Sequence, residues 1–276
     1  FHNNGAIYHW DRTLIDGLDV RDPAIRVLDQ SRIGAVLTGD KQALRGGPAV
    51  TAMLIQNTNP LSVAPDQNMV KRGFQRDDLF VCVHEQFMTE TAAYADIILP
   101  ATMFLEHDDI YQGGGHQHIL LGPKVIEPPG ECRSNHEVIL GLAKRLGAQH
   151  RGFEMSAADI IDWTLRHSGW GNLDELRVKH WIDCQPGFDE AHFLNGFGHA
   201  DHKFHFSTHW EALALNEFGP EQLPSPLPRL PDHWRGIEEP TDDCPFRLVT
   251  APARHFLNSS FNETSTSRRR ERQPTV

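Results

Sequence analysis

Three short apolar runs between residues 49 and 99 predict the strands of a small parallel β-sheet. Residues 49–56, 79–83 and 96–99 are apolar at most positions, which is typical of strands covered on both faces. Residues 65–76, between the first two runs, have helical spacing, and residues 89–94 favour a short helix before the third run. This order of strands and crossovers predicts an α/β domain in which helices flank a parallel sheet.

Two later segments have the signature of capped amphipathic helices. A helix is predicted over residues 134–146, because Ser134 and Glu137 form a capping box ahead of an apolar stripe. A second helix is predicted over residues 156–167, where Ser156 is followed three residues later by an aspartate.

The hydrophobic pattern of the remaining segments is weaker, and their composition indicates a domain boundary near residue 242. Residues 33–37 favour a short strand or an extended segment, and residues 119–126 favour further sheet elements. Glycine, histidine and proline dominate residues 187–241, which is typical of an extended connector. A strand is predicted over residues 246–250. We therefore expect an α/β domain over residues 1–241 and the beginning of a second domain over residues 242–276.

Composition narrows the possible partners. The formal charge of −11 argues against a nucleic-acid partner, and no apolar run approaches the roughly 20 residues that span a bilayer. The four cysteines are separated by 50, 52 and 60 residues, so no zinc or iron–sulfur motif is present. Histidines recur at His199, His202, His205 and His209, but a strand over residues 203–207 would place neighbouring histidines on opposite faces. We therefore expect no metal ligands in this chain.

Polar residues follow the predicted strands and the segments next to them. They are Asn59, His84, Glu85, His107 and Asn135. Parallel strands place ligands at their carboxyl ends, and a guanine nucleotide needs a carboxylate for its ring N–H and amino groups together with amides for its ribose. Each residue also has a structural interpretation: Asn59 could shape a turn, Asn135 could be an ordinary first-turn residue, and the two histidines could lie on the surface.

Three motifs carry a resemblance to a known family. TETAAYADIILPATMFLEHDD, preceded by QNTNPLSVAPD and followed by PPGECRSN, resembles the molybdopterin oxidoreductase family of the dimethyl sulfoxide reductase type. The resemblance covers residues 34–147 and resumes at residues 245–261. It implies a Rossmann-like domain followed by the truncated start of a double-psi β-barrel that binds cofactor.

The resemblance implies that Asn59, His84, Glu85, His107 and Asn135 bind the cofactor. Several relatives have Ser-Asp or Gln-Asp in place of the His-Glu pair, lysine in place of His107, and aspartate in place of Asn135. These departures keep hydrogen-bonding groups but weaken the charge at two positions.

The resemblance also implies cofactor contacts in the segment TAPARHFLNSSF, by position at Thr250, His255, Asn258, Ser259 and Ser260. In the family a Thr-Gly-Arg-like turn grips the pterin and its phosphates at this place. Here alanine and proline replace the Gly-Arg pair. An ordinary serine-rich loop is the alternative interpretation.

For the whole enzyme, the resemblance implies molybdenum or tungsten held by two molybdopterin guanine dinucleotides, and two-electron chemistry on a small substrate such as formate, nitrate or a sulfur or N-oxide compound. We expect a C-terminal fragment of the catalytic subunit, since the chain begins at Phe1 and contains no evident catalytic base or nucleophile. Its partners would then be the missing N-terminal domains with an iron–sulfur (4Fe-4S) cluster, and an electron-transfer subunit. The compartment would be the cytoplasm, or else the periplasm.

Two alternatives from other classes stay open at this point. One is a stand-alone nucleotide-binding module of Rossmann type without redox chemistry. The other is a structural subunit that has kept the fold and lost the cofactor. The metal content of the protein and the nucleotide it binds would distinguish them from the enzyme.

Overall fold

Three parallel strands form the first sheet of the protein. In the order of the sheet they are β1 (Ala52–Gln56), β2 (Phe80–Glu85) and β3 (Ile97–Pro100), with β2 in the centre. The structure is a computed structural model, and it describes residues 10–113, 116–207, 240–247, 249, 253–255, 257, 259–261 and 264–271. The predicted parallel sheet is confirmed, and β2 continues through the His-Glu pair that the sequence analysis had placed after it.

Short helices connect and flank the strands. Within the described residues the α-helices are α1 (Thr13–Asp16), α2 (Ile33–Leu37), α3 (Pro60–Val63), α4 (Gln67–Phe74), α5 (Asn135–Leu146), α6 (Ala157–His167), α7 (Leu173–Lys179), α8 (Phe188–Ala191) and α9 (Ser265–Glu271). Single 3-10 turns lie at Gln30–Arg32, Ala92–Tyr94 and Arg151–Glu154. In the described part of the chain, no helix has the length and apolar composition needed to cross a membrane.

One face of the parallel sheet forms the main core. Ile55, Val81 and Val83 are buried there together with Val70 and Phe74 of α4. This cluster stabilises the sheet, because each fully buried aliphatic side chain contributes about 1.5–3 kcal/mol.

The opposite face of the sheet is not covered by the described residues. Leu54, Phe80 and Ile97 are 43%, 47% and 46% exposed, respectively. Leu54 and Ile97 both pair with Cys82, and Phe80 lies two residues before Cys82 on β2. Leu54, Phe80 and Ile97 therefore lie on the same face of the sheet. The prediction that the strands are covered on both faces is therefore wrong for the described structure.

Helices α2 and α4 pack closely under the sheet because glycines lie at their contact. A Cβ atom added to Gly73 would lie 2.4 Å from the Cβ of Leu37, and one added to Gly34 would lie 3.0 Å from the backbone nitrogen of Val70. Arg76, just after α4, donates a 2.8 Å hydrogen bond to the carbonyl of Leu37. Residues 33–37 form helix α2, so the strand or extended segment predicted there is wrong.

A second, antiparallel sheet lies in the following part of the chain. Its strands are β4 (Asp109–Gln112), β5 (His118–Gly122) and β6 (Trp181–Asp183), with β5 in the centre. Ile119 of β5 is fully buried against Leu165 of α6 and Leu176 of α7. Strand β5 overlaps the sheet elements predicted over residues 119–126, whereas the two short strands that pair with it were not predicted.

The two capped helices are confirmed. At the start of α5, Ser134 Oγ accepts a hydrogen bond from the backbone N–H of Glu137 at 3.3 Å, and the Glu137 carboxylate accepts one from the Ser134 N–H at 2.8 Å. The same reciprocal pair at the start of α6 joins Ser156 and Asp159. Gly147 ends α5 with a φ of 67°, a conformation that glycine adopts without strain.

Two predicted strands in the later part of the chain are not confirmed. Residues 203–207 have an irregular backbone with bends, so the strand predicted there is wrong. In the strand predicted over residues 246–250, the described residues Phe246, Arg247 and Val249 are also irregular, and the other two lie outside the described residues. The division at residue 242 and the start of a barrel stay predictions.

Candidate functional site

A pocket of about 530 Å³ lies where the two sheets meet α5 and α6. Asn57 and Gln86, which directly follow β1 and β2, form its wall at the carboxyl edge of the parallel sheet. Residues of α1, β4, α5 and α6 form the rest, together with loop residues between 102 and 108 and between 150 and 153. Its volume is within the roughly 300–1,000 Å³ that is usual for small-molecule and cofactor sites.

One wall of the pocket is polar and is organised around His107. Thr102, which is buried, holds the ring of His107 through a 2.8 Å hydrogen bond between its Oγ1 and Nδ1. The other ring nitrogen, Nε2, lies 3.9 Å from a carboxylate oxygen of Asp109. Gln86 donates a 2.9 Å hydrogen bond to the carbonyl of Thr102, which ties this wall to the end of β2.

The negative charge of the Asp109 carboxylate is only partly stabilised by the groups around it. Burial raises the pKa of Asp109, while a hydrogen bond from the Ile110 N–H and the nearby His107 lower it by smaller amounts. Its side chain remains 48% exposed, so solvent screening moderates the effect. A ligand with N–H groups would stabilise this carboxylate.

The N-terminus of α5 opens into the same pocket through Ser134, Asn135 and His136. In the described structure, the backbone N–H groups of Asn135 and His136 donate no hydrogen bond. Such free N–H groups and the helix dipole favour an anion at this point. His136 Nε2 lies 3.0 Å from the carbonyl of Met155, which orients its ring.

A second part of the lining, which we call the apolar wall, carries no polar groups apart from one hydroxyl. It is formed by side chains of α1, α5 and α6 together with Phe153, namely Leu14, Ile15, Ile139, Leu140, Phe153, Ile160 and Ile161. Thr164 of α6 lies in this wall, is 1% exposed, and its hydroxyl has no hydrogen-bond partner in the described part of the chain. The pocket therefore offers one polar and one apolar surface to a ligand.

Two of the predicted site residues line this pocket. His107 lies on the loop before β4, and Asn135 is the first residue of α5, so segments 28 residues apart in the sequence meet at one site. Both were chosen as polar residues near the carboxyl ends of the predicted strands, and both face the pocket that adjoins this edge.

Three other predicted residues lie beside the pocket but do not line it. Asn59 is buried, where its Oδ1 accepts hydrogen bonds from the N–H and hydroxyl of Thr91 at 3.2 and 2.8 Å. His84 is fully buried, and its Nε2 lies 3.0 Å from the carbonyl of Arg133. Glu85 accepts a 2.7 Å hydrogen bond from the N–H of the next residue. Cofactor contacts by these three residues stay a prediction.

The predicted residues near the C-terminus that the structure describes do not line the pocket. Thr250 and Asn258 are outside the described residues. The N–H of His255 donates a 2.9 Å hydrogen bond to Glu271 of α9, and Ser259 is half-buried. Neither His255 nor Ser259 lines the pocket. Their contact with a cofactor therefore stays a prediction.

Several pocket residues are not among those predicted from the sequence, although for two of them a sequence signal is present. Asn57 and Gln86 are the first residues after β1 and β2, so the rule that placed ligands at strand ends applies to them directly. The end of β2 had been placed two residues too early, and this error moved the prediction to the His-Glu pair. Nothing in the local sequence pointed to Thr102 or His136.

We predict a pH-dependent effect of replacing Asp109 with asparagine. Because burial raises the pKa of Asp109 above its ordinary value of 3.8, its charge costs stability when the pH exceeds that value, and the cost disappears below it. The cofactor-free variant should therefore melt at a higher temperature than wild type at about pH 7, and without this gain at about pH 3.5. Thermal unfolding across this range, with the exposed Asp77→Asn as control, measures the effect. An equal gain at both pH values would contradict the prediction.

Comparison with known proteins matches the middle of the chain to one family. The sequence model of the family described as molybdopterin oxidoreductase covers residues 37–145, which include β1 to β5 and nearly all of α5. This range contains the polar wall of the pocket and the N-terminus of α5.

Individual relatives extend the match beyond this range. The probable oxidoreductase YoaE of Bacillus subtilis (strain 168) is 31% identical over 99% of this chain and 38% of its own length. The assimilatory nitrate reductase catalytic subunit of the same organism is 29% identical over 75% of this chain and 28% of its own length. The chain thus spans less than two fifths of either relative.

A solved structure has a similar fold. The acetylene hydratase from Pelobacter acetylenicus superposes with a TM-score of 0.50 at 21% identity, over 70% of this chain and 26% of the other. This likeness concerns the fold, whereas the family match rests on sequence. The expected resemblance is confirmed: the chain belongs to the molybdopterin oxidoreductase family, of the dimethyl sulfoxide reductase type.

Proposed function

We propose that the pocket holds the guanine nucleotide end of a molybdopterin guanine dinucleotide, and that the chain forms one wall of the cofactor cleft of a molybdenum or tungsten oxidoreductase. The observation that carries this proposal is the meeting of His107 and Asn135 in one pocket at the carboxyl edge of the parallel sheet. This is the edge where open α/β sheets bind nucleotides.

The residues of the pocket fit such a group chemically. Asp109 can accept hydrogen bonds from the ring N–H and amino group of guanine, and this would relieve the cost of its partly buried charge. Asn57, Gln86 and Asn135 offer amide donors and acceptors for a ribose. The free N–H groups at the start of α5 suit the phosphates. The unpartnered hydroxyl of Thr164 supplies a further hydrogen-bonding group that a ligand can satisfy.

In this proposal the chain binds and orients the cofactor. The bound cofactor supplies the two-electron chemistry, while the residues of this chain hold its nucleotide and exclude water from it. The substrate would be a small molecule such as nitrate, formate or a sulfur or N-oxide compound. Other domains of the polypeptide, with an iron–sulfur cluster, and an electron-transfer subunit would complete the enzyme.

Replacing His107 with alanine tests the proposed site. In this proposal the His107 ring donates a hydrogen bond to a charged oxygen of the cofactor. Losing such a bond costs about 1.5–3 kcal/mol, so we expect the variant to hold the cofactor at least about tenfold more weakly. Molybdenum and tungsten are measured by mass spectrometry in the purified protein, and guanosine monophosphate is measured after acid hydrolysis. The matched control is His192→Ala, because His192 lies on the surface after α8, where its ring stacks on Phe188.

The same measurements on the wild type separate the alternatives. Metal and guanosine monophosphate together support the proposal. A bound nucleotide without molybdenum or tungsten would indicate a stand-alone nucleotide-binding module. The absence of both would indicate a structural subunit without cofactor. Equal cofactor content in the two histidine variants would contradict a role of His107.

A further inference from the structure

Thr164 is an unusual residue in the apolar wall of the pocket. It is 1% exposed, and its hydroxyl oxygen makes no hydrogen bond within the described residues. Buried hydroxyl groups in proteins nearly always have a partner, because one left without a partner keeps the full cost of its desolvation. A threonine in a helix can bond the carbonyl four residues earlier, but Thr164 makes no such bond.

The pocket residues one turn before Thr164 on its own helix offer its hydroxyl no side-chain partner. They are Ile160 and Ile161, and Phe153 lies in the same wall. None of these side chains carries a hydrogen-bonding group. A valine would have nearly the same shape and no polar atom, so packing gives no reason for a threonine at this position. A ligand in the pocket is the partner that the described structure leaves available.

We propose that the apolar wall receives the base of the bound nucleotide and that the Thr164 hydroxyl hydrogen-bonds to it. This inference rests on the proposed function: the face of the base lies on the apolar wall, while the edge that carries its ring N–H and amino group is turned to Asp109. The phosphates carry negative charge and suit the N-terminus of α5, whereas the base is flat and uncharged and suits the wall of Ile139, Ile160 and Phe153.

The hydroxyl reaches the ligand by a rotation of one bond. Its oxygen is covered by neighbouring protein atoms, although the residue forms part of the pocket wall. Threonine in helices populates two χ1 rotamers, and rotation from one to the other turns the hydroxyl by about 120° about the Cα–Cβ bond. A hydroxyl both donates and accepts, so it can serve either kind of group on the edge of the base.

Replacing Thr164 with valine should change stability and binding in opposite directions. The variant loses a buried polar group without a partner, so the cofactor-free protein should melt at a higher temperature than wild type. It also loses a hydrogen bond to the base, so its affinity for guanosine diphosphate should fall about tenfold. Thr164→Ser keeps the hydroxyl and should retain affinity within about threefold of wild type.

The test uses the protein produced without its cofactor and titrated with two probes by calorimetry. Guanosine diphosphate carries both base and phosphates, whereas pyrophosphate carries only the phosphates. We expect the valine variant to lose affinity for the first probe and to bind the second as wild type does. Equal loss for both probes would indicate a general distortion of the pocket and would overturn the assignment of the walls.

The outcomes also separate this inference from the proposed function. If wild type binds guanosine diphosphate and the valine variant binds it equally well, the role of Thr164 is wrong while the nucleotide site stands. If wild type binds neither probe and the purified protein contains neither guanine nucleotide nor metal, the proposed function fails, and the inference fails with it.

Discussion

Replacement of Asn59 by alanine is expected to destabilise the cofactor-free protein by about 3 kcal/mol. Asn59 accepts two hydrogen bonds from Thr91, which is fully buried, and its Nδ2 donates a 2.7 Å hydrogen bond to Glu90. Alanine would leave the N–H and hydroxyl of Thr91 without this acceptor, and each such buried group costs roughly 1–3 kcal/mol. Denaturant unfolding followed by circular dichroism measures the loss.

A second observable identifies the cause of the loss. The hydrogen bond from Asn59 is the main reason that the pKa of Glu90 is lowered. In the variant this pKa should rise toward its ordinary value, and NMR titration detects the change. The control is Asn68→Ala at an exposed position of α4, where a surface substitution changes stability by less than about 0.5 kcal/mol. Unchanged stability of the alanine variant at position 59, with weakened cofactor binding, would instead favour a direct cofactor contact.

Replacement of Gly73 by alanine is expected to destabilise the protein by about 2–3 kcal/mol. The added Cβ would lie 2.4 Å from the Cβ of Leu37, which is fully buried and cannot move aside as a flexible side-chain end could. Helices α2 and α4 must then separate, and the core under the parallel sheet loses contacts. Thermal or denaturant unfolding measures the change.

The same substitution at Gly141 is the matched control and should have the opposite sign. Gly141 lies inside α5, where an added Cβ would approach only the end of the Arg145 side chain at 3.5 Å. Alanine in a helix interior is more favourable than glycine by about 0.5–1 kcal/mol, so this variant should gain stability. Destabilisation of both variants by similar amounts would show that the contact between α2 and α4 is not what makes Gly73 necessary.

Local signals in the sequence predicted the two longest helices and the parallel sheet well. The capping boxes of α5 and α6 need residues only three positions apart, and Gly147 ends its helix by its own backbone preference. The apolar runs that form β1, β2 and β3 are equally local. The helix at residues 33–37 was missed because its cause is distant: Gly34 meets α4, which begins more than thirty residues later.

The candidate site was predicted only in part, because some of its contacts join segments that are distant in the sequence. The rule that ligands bind at strand ends led to His107 and Asn135, and both line the pocket at the carboxyl edge of the sheet. The hydrogen bonds that bury Asn59 and His84 join segments 32 and 49 residues apart, and spacing in the sequence contains no sign of them. The apolar wall from α1 and α6 likewise arises only when the chain folds.

One apolar face of the parallel sheet is left exposed by the described residues, and this affects how every variant described above should be handled. Leu54, Phe80 and Ile97 form a solvent-exposed hydrophobic patch on three adjacent strands. Chains prepared without whatever lies against this patch would tend to cluster through it, and clustering would imitate a loss of ligand binding or of stability. Light scattering at several protein concentrations should therefore accompany each titration. It separates a defect in the pocket from self-association through the exposed face of the sheet.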